Sequence, residues 1–386
     1  MKHRAWAEIN LDIAAENMRN IRKVTNPATQ IMAVVKADAY GHGFLEMSKV
    51  FLDNGADRLA VATIDEAIQH RAEGINVPLM ILGASEYEDA ASLVKYDIIP
   101  AVFDFEFAEV MSSVAKAMHK TAKVHIKLDT GMSRIGFMVS DDNEKIINEI
   151  IQISNLPNIE IEGIFTHFST SDEKDDGYTR LQYNRFNSVC DELKKRGLDI
   201  PIKHVCNSAA IMMYPEMHLD LVRAGVILYG LYPSEDVDKS ILPLKPVMNL
   251  KSRITMIKET EAGRGVSYGK EYITDKKTRI ATVSIGYADG YIRKNANNGV
   301  VVLDDGTLVP IIGRICMDQC MIDVTNVHNI NKGDEVTLFG TSGVTVDDVA
   351  KRLDTINYEV VCMLSKRIPR VYTKNGRMVK TLNYLV

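Results

Sequence analysis

The sequence has little of what marks secreted, membrane-spanning or metal-binding proteins. Only five of its 386 residues are cysteine, and the spacing of Cys316 and Cys320 differs from the C-x-x-C of zinc and redox sites. No stretch approaches the roughly 18 uncharged apolar residues that a membrane span needs. The N-terminus shows no apolar segment of a signal peptide. We therefore expect a cytoplasmic protein with no membrane segment and no metal.

An excess of basic residues is also missing. The chain has 46 Lys and Arg against 51 Asp and Glu, a net charge of −5, and no basic block. Nucleic-acid binding depends on a cationic surface that displaces counterions, so we do not expect it here. The composition, 46% hydrophobic and 25% charged, is typical of a folded globular protein. The length favours one large domain and a smaller one.

Eight short apolar runs, rich in β-branched residues, alternate with helix-like segments along the first 240 residues. They are Ile31–Val35, Leu59–Thr63, Pro78–Leu82, Ile98–Phe103, Val124–Leu128, Ile159–Thr166, Ile202–Cys206 and Leu221–Tyr229. Several are apolar at successive positions, as parallel strands buried on both faces are. Eight such repeats predict an α/β fold, a (β/α)8 TIM barrel. A doubly wound sheet is the alternative, but no G-x-G-x-x-G motif follows the first strand.

The pattern changes near residue 240, after the proline-marked junction Leu242–Pro246. Strand-like segments then follow without helical periodicity until a short helix at Val346–Arg352. Asp305-Gly306 predicts a hairpin turn between two of these strands, because glycine tolerates positive φ. We predict a barrel domain over residues 1–240 and a mostly-β domain over 241–386, with the first ten residues able to pair with the second domain.

Polar residues at the predicted strand ends suggest chemistry, because barrel active sites lie at the carboxyl ends of the strands. Burial of the stem of Lys36 would lower its pKa and leave a neutral amine that forms a Schiff base with a carbonyl group. The alternative is a strand-end lysine that reaches solvent. Asn207-Ser208, with Gly225, fits a phosphate site built from backbone N–H groups and a hydroxyl. The alternative is that Ser208 only caps a helix.

An amine and a phosphate site together suggest pyridoxal 5′-phosphate. Arg223 is placed for the pyridine nitrogen, to which a guanidinium donates without losing its proton; its alternative role is a surface ion pair. Tyr268 and Tyr358 stand outside the strand pattern, either as functional phenols or as rings packed at an interface. The acidic run Asp172–Asp176 indicates a solvated loop rather than a cation site.

The segment Val35–Gly43 resembles the cofactor-attachment motif of bacterial alanine racemases. Seven further segments resemble motifs of the same family, in the same order along the whole chain. They are His125–Gly136, Thr166–Phe168, His204–Ser208, Arg223–Gly225, Ser267–Gly269, Gly313–Asp318 and Ile356–Glu359.

This resemblance implies a pyridoxal-phosphate-dependent enzyme that interconverts L- and D-alanine, supplies D-alanine for peptidoglycan, and is a homodimer whose active sites are shared between subunits. Lys36 would hold the cofactor and act on one face of the substrate Cα, and Tyr268 of the other subunit on the opposite face. The other implied roles are cofactor binding by Tyr40, His167, Asn207, Ser208, Arg223, Gly225, Val226 and Tyr358, substrate binding by Arg134 and Met317, carbamylation of Lys127, and a substrate corridor lined by Asp172, Arg293, Arg314 and Ile356.

Three other functions are consistent with parts of this pattern. A racemase of broader or different specificity, for serine or a basic amino acid, shares most of the motifs. Tyr358 favours alanine, since a bulky ring near the substrate methyl leaves little room. A fold-related decarboxylase of basic amino acids is disfavoured by the Tyr268 motif. A cofactor-binding protein without catalysis is disfavoured by the second domain.

Overall fold

The computed structural model describes residues 3–386, which divide into two compact units. The barrel unit comprises residues 15–39 and 44–244, and the sheet unit comprises residues 3–14, 40–43 and 245–386. The first strand and helix are β1 (Ala5–Asn10) and α1 (Leu11–Val24). None of the helices in the described residues combines the length and apolar character needed to cross a bilayer.

Eight parallel strands of the barrel unit form a nearly closed barrel in the order β10-β2-β3-β4-β5-β6-β8-β9. They are β2 (Gln30–Val34), β3 (Arg58–Val61), β4 (Leu79–Ile81), β5 (Ile99–Val102), β6 (Ala122–Asp129), β8 (Ile159–Phe165), β9 (Ile202–His204) and β10 (Leu221–Ala224), with β7 (Phe137–Met138) beside β6. The N–H of Arg223 in β10 donates to the carbonyl of Cys206, just after β9, at 3.0 Å. The predicted (β/α)8 barrel is confirmed.

The helices of the barrel unit alternate with its strands. They are α2 (Lys36–Gly41), α3 (Phe44–Asp53), α4 (Ile64–Ala72), α5 (Ala90–Lys95), α6 (Phe105–Ala117), α7 (Glu144–Ser154), α8 (Gly177–Lys195) and α9 (Ser208–Met213). Side-chain caps define several starts: Thr63 accepts from the N–H of Glu66, and Asp104 from that of Phe107. In α7 the buried residues Ile147, Ile150 and Ile153 recur every three residues, which gives the helix one apolar face.

The last barrel strand is shorter than the sequence predicts. The run Leu221–Tyr229 was predicted to be one strand, but β10 ends at Ala224. Gly225 then takes φ −112° and ψ −109°, and Val226–Tyr229 forms a buried 3₁₀ turn. A continuous apolar run does not distinguish a buried strand from a buried helical turn, which explains the error.

The turn at α2 is left-handed. Ala37, Asp38, Ala39 and Tyr40 have φ between 52° and 55°, and Gly41 has φ 76°. Each non-glycine residue in this region costs about 1–2 kcal/mol relative to a right-handed turn. The residues that directly follow Lys36 are therefore strained, and the surrounding contacts must hold them.

The sheet unit is mostly β-structure, as predicted. Its further elements are β11 (Met248–Thr260), β12 (Gly265–Val266), β13 (Tyr272–Ile273), β14 (Thr278–Val283), β15 (Val300–Leu303), β16 (Leu308–Pro310), β17 (Cys320–Asp323), β18 (Glu335–Phe339), α10 (Val346–Leu353), α11 (Asn357–Cys362), β19 (Arg370–Lys374) and β20 (Arg377–Leu382). The order β16-β15-β18-β11-β1-β19-β20 makes one sheet, with β14 bridging β11 and β17. Gly306, at φ 85°, turns the β15–β16 hairpin. The sequence pattern did not predict β12, β13, α11, β19 or β20.

Candidate active site

The carboxyl ends of the barrel strands bring several cations together. His167, which follows β8, lies in the electrostatic field of Lys36, Lys127, Arg134 and Arg223. Burial, followed by these positive charges, lowers the pKa of His167 well below its usual 6.5. His167 is therefore neutral at pH 7, and its Nδ1 lies 3.3 Å from Nη2 of Arg223. The opening of the barrel at the carboxyl ends of its strands, here named the mouth, is therefore positively charged. This charge attracts anions.

Arg223 lies inside the barrel and is only 3% exposed. Its Nη1 donates to Nδ1 of His204 at 2.9 Å and to the His204 carbonyl at 3.1 Å. Its Nη2 donates to the carbonyls of Thr166 at 2.7 Å and Val205 at 3.0 Å. Burial lowers the pKa of Arg223 to about 10, so the guanidinium keeps its charge at pH 7. It is a permanent hydrogen-bond donor.

A chain of hydrogen bonds, here named the polar relay, connects Arg223 through His204 and His125 to Glu162. Nε2 of His204 lies 2.9 Å from Nδ1 of His125, and Nε2 of His125 lies 3.1 Å from Oε2 of Glu162. A guanidinium only donates and a carboxylate only accepts, so both neutral imidazoles must hold their proton on Nε2. Burial lowers the pKa of both histidines, which keeps them neutral.

At the far end of the polar relay, the carboxylate of Glu162 is paired with positively charged side chains. Oε2 of Glu162 accepts from Nη1 of Arg58 at 2.6 Å, and Oε1 accepts from Nζ of Lys123 at 2.9 Å. Burial alone would raise the pKa of Glu162, but the hydrogen bonds from His125, Lys123 and Arg58 hold it well below its usual range. Gly163 leaves room for His125, since a Cβ there would lie 2.5 Å from the imidazole ring.

Lys127 is buried beside Arg223. Its Nζ donates to the carbonyl of Leu128 at 2.6 Å and lies 5.3 Å from the centre of the Phe165 ring. Burial, followed by the charge of Arg223, lowers the pKa of Lys127 to about 7. Near neutral pH a large fraction of this amine is therefore unprotonated and nucleophilic.

The loop after β6 is shaped by Asp129. Its Oδ1 accepts from the N–H groups of Gly131 and Ser133, at 2.9 and 3.0 Å, and its Oδ2 from that of Arg134 at 2.9 Å. Burial would raise the pKa of Asp129, but these three bonds outweigh it and lower the pKa. The exposed side chain of Arg134 thus stands on an ordered backbone.

The predicted phosphate segment lies between β9 and β10. Oδ1 of Asn207 accepts from the N–H of Ala210 at 3.0 Å, so Asn207 is the cap of α9. The alternative in which Ser208 caps the helix is wrong, because its Oγ accepts from the N–H of Gly225 at 2.9 Å. Val226 begins the buried turn after Gly225.

Tyr40 and Tyr358 form a second group, in the sheet unit. Their ring centroids are 6.1 Å apart and the rings are tilted by 48°. Tyr40 is buried, and burial raises its pKa above the ordinary 10. Arg370 holds the same segment, since its Nε donates to the carbonyl of Gly41 at 2.8 Å.

The loop that contains Tyr268 exposes a large aromatic side chain. Tyr268 is 66% exposed and Met317 is 53% exposed. Ser267 has φ 62° and ψ −168°, a region that non-glycine residues rarely adopt, and its Oγ donates to the carbonyl of Arg314 at 2.6 Å. A cavity of about 710 Å³ is lined by Ser267, Tyr268 and Cys316, among others. Tyr268 is therefore held at the surface of its unit beside a cavity.

Three of the four predicted corridor residues belong to the sheet unit. Arg314 forms an ion pair with Glu271, and the charge of Arg293 also acts on that carboxylate. Ile356, just before α11, is 58% exposed. Asp172 belongs to the barrel unit, where its carbonyl accepts from Oγ of Ser234 at 2.5 Å.

Comparison with known proteins assigns the family. The family models for the N-terminal and C-terminal domains of alanine racemase match residues 9–233 and 247–372. The chain belongs to the alanine racemase family. An alanine racemase of Clostridium tetani is 49% identical over 383 residues, 98% of each chain. The structure of an alanine racemase of Clostridium difficile 630 matches with a TM-score of 0.96 at 45% identity, and that of its complex with cycloserine with a TM-score of 0.94 at 44%; both comparisons cover all of each chain.

Membership of the alanine racemase family makes the chain an isomerase. The sequence motifs contained His125 and His204, but no role was predicted for either, and Glu162 and Arg58 were not predicted at all. The available signal was a charged residue in or next to an apolar run, but this does not distinguish Glu162 from Glu160 on the same strand. In residues 3–386, no group of three or more His, Cys, Asp or Glu side chains is arranged to hold a metal ion.

We expect Glu162→Gln to destabilise the protein by about 3 kcal/mol, since it leaves the buried Arg58 without its counter-charge. Denaturant unfolding would measure the change. Glu160→Gln is the matched control on the same strand, where the carboxylate is largely exposed, and should change the free energy of unfolding little. Equal effects of the two substitutions would contradict the buried role of Glu162.

We expect the stability to fall as the pH drops below about 6.5. His125, His167 and His204 have lowered pKa values in the folded state, so the unfolded chain takes up protons first. The stabilisation that these three neutral histidines provide is complete above pH 6.5. Below that pH, the free energy of unfolding falls by up to about 1.4 kcal/mol per pH unit for each histidine. Unfolding at pH 7.5, 6.5 and 5.5 would measure it. A flat profile in the wild type would contradict this assignment.

Proposed function

We propose that the chain interconverts L- and D-alanine with pyridoxal 5′-phosphate at the carboxyl end of the barrel, as a cytoplasmic homodimer with shared active sites. D-alanine for peptidoglycan is the proposed product. The observation that supports this most is the donor set on neighbouring strands. β2 leads into Lys36, β10 contains Arg223, and the two strands pair in parallel through Arg223 and Met32.

The chemistry of this donor set fits the cofactor. Lys36 supplies a primary amine for the aldehyde, Arg223 a permanent donor for the pyridine nitrogen, and Ser208 with Gly225 a hydroxyl and N–H group for the phosphate. When bound, the cofactor withdraws electrons from the Cα of the amino acid and so makes its proton removable. Tyr40 and Tyr358 are proposed as further phosphate ligands, and His167, Asn207 and Val226 as further cofactor-binding residues.

Arg134, one of the positively charged side chains at the mouth of the barrel, is proposed to bind the substrate. Arg134 is exposed on the loop that Asp129 orders, where a guanidinium is suited to a substrate carboxylate. The backbone of Met317 is the second proposed contact. Asp172, Arg293, Arg314 and Ile356 are proposed to line the corridor by which substrate reaches the site.

Racemisation needs two proton-transferring groups, because a proton leaves one face of Cα and another arrives on the opposite face. We assign Nζ of Lys36 to one face and the phenol oxygen of Tyr268, from the second subunit, to the other. The exposure of Tyr268 on its own unit supports a role toward another chain. Large exposed aromatic residues are enriched where proteins associate.

Lys127 is proposed to be carbamylated. Carbamylation joins the unprotonated amine to carbon dioxide and releases one proton, so it requires the neutral form. The pKa of about 7 supplies that form near neutral pH. The resulting anion would lie among the cations at the mouth, where it would help to orient Arg134.

The cofactor assignment predicts one site of attachment. Reduction of the holoenzyme with borohydride, followed by peptide mapping, should place a pyridoxyl group on Lys36. Lys36→Ala should show no such adduct and no racemisation, while its thermal stability shows that it folds. A pyridoxyl group on another lysine in the wild type, or none, would contradict the proposal.

The two-base assignment predicts that Tyr268→Phe slows racemisation in both directions. A loss of about 10²–10⁴ in kcat is typical when one acid or base is removed. Tyr287→Phe, at another partly exposed tyrosine, is the control and should change kcat little. Unaltered rates from both L- and D-alanine in Tyr268→Phe would exclude Tyr268 as the second group.

A further inference from the structure

The left-handed turn after Lys36 is strained backbone that the contacts around it must stabilise. Residues 37–40 take positive φ values in succession, although none of them is glycine. The turn is closed internally, since the N–H of Ala39 donates to the carbonyl of Val35 at 2.9 Å. Strain of this kind persists only when neighbouring groups hold it, and it concentrates at functional sites.

Glu66 is the side chain that binds the start of this turn. Its Oε1 accepts from the N–H of Ala37, the residue after Lys36, at 2.6 Å. Its Oε2 accepts from the N–H of Ala62, just after β3, at 2.8 Å. One carboxylate thus joins the ends of two adjacent parallel strands. Hydrogen bonds to an ionised acceptor are roughly twice as strong as neutral ones.

Contacts within the barrel unit also hold the backbone of Glu66 in place. Nδ1 of His70 lies 2.7 Å from the carbonyl of Glu66, and Nε2 of His70 lies 3.2 Å from Oγ of Ser48. Asp38, within the turn, connects it to the start of α3, since its Oδ1 accepts from the N–H of Phe44 at 2.9 Å. Glu66 therefore holds the turn from outside, and Asp38 links the turn to the next helix.

We propose that Glu66 is a positioning residue for Lys36. By holding the N–H of Ala37, Glu66 keeps the peptide after Lys36 in the left-handed turn and so fixes the direction in which the amine leaves β2. This inference rests on the proposed function of Lys36. It differs from a merely structural role of Glu66 at the N-terminus of α4, because it acts through the conformation of residue 37.

Glu66→Ala tests the proposal, with Asp65→Ala as the matched control. Asp65 is an exposed carboxylate in the same first turn of α4, so its loss removes the same charge at the helix N-terminus. We expect kcat of Glu66→Ala to fall about 10–100-fold, since small misplacements of reacting groups cost this much. We expect KM for alanine to change less than kcat, and Asp65→Ala to resemble the wild type.

Ala37→Gly in the Glu66→Ala background is the rescue experiment. Glycine adopts positive φ without the penalty of a Cβ, so it should restore part of kcat and part of the midpoint of thermal unfolding of the cofactor-free protein. If Glu66 only stabilised α4, the substitution at residue 37 would restore neither kcat nor the midpoint of thermal unfolding. Should Glu66→Ala prove insoluble, Glu66→Gln, which keeps one of the two acceptors, takes its place and should respond to the same rescue.

Wild-type kcat in Glu66→Ala, an equal loss in Asp65→Ala, or no rescue by Ala37→Gly would each overturn the positioning role. Borohydride reduction with peptide mapping distinguishes failure of the positioning role from failure of the proposed function. A pyridoxyl group on Lys36 in wild type and in Glu66→Ala, with reduced kcat only in the variant, supports both proposals. Its absence from Lys36 in the wild type refutes the proposed function, and the positioning role with it.

Discussion

The barrel must accommodate the charge of Arg223 in its interior, and much of the site follows from how it does so. A buried guanidinium is costly unless its donors are used and its charge is balanced. Carbonyls of Thr166, His204 and Val205 use the donors. The polar relay connects this guanidinium to the carboxylate of Glu162, which also pairs with Arg58 and Lys123. Two neutral imidazoles separate the charges, and their polarised hydrogen bonds connect them.

The barrel could be predicted from the sequence because its signal is repeated and largely local. Alternating apolar runs and helix-like segments indicate parallel strands whatever the details of packing. The prediction failed where two structures share one pattern, as in Leu221–Tyr229, in which an apolar run contains both a strand and a buried 3₁₀ turn. Gly225, at the break, was the only local sign of that change.

The polar relay and the left-handed turn could not be predicted because their causes are not local. Glu162 differs from Glu160 on the same strand only in depth, which depends on the closure of the whole barrel. Nothing in Ala37-Asp38-Ala39-Tyr40 indicates positive φ, which glycine or asparagine usually marks. Contacts with Glu66 impose it from outside the segment. The sequence therefore singles out Lys36 as a candidate, whereas it does not show how the residues after Lys36 are held.

The electrostatics of the mouth also limit which groups there can move a proton. Arg223 does not release its proton, and the protons of His125 and His204 are committed to the polar relay. His167, with its pKa well below 6.5, has no proton to donate as an acid near pH 7. These four side chains therefore orient and polarise but supply no acid. This agrees with the proposed assignment of proton transfer to Lys36 and Tyr268, each of which directly adjoins a non-glycine residue at positive φ, Ala37 and Ser267. Strained backbone thus occurs beside both side chains whose direction the proposed mechanism requires to be fixed.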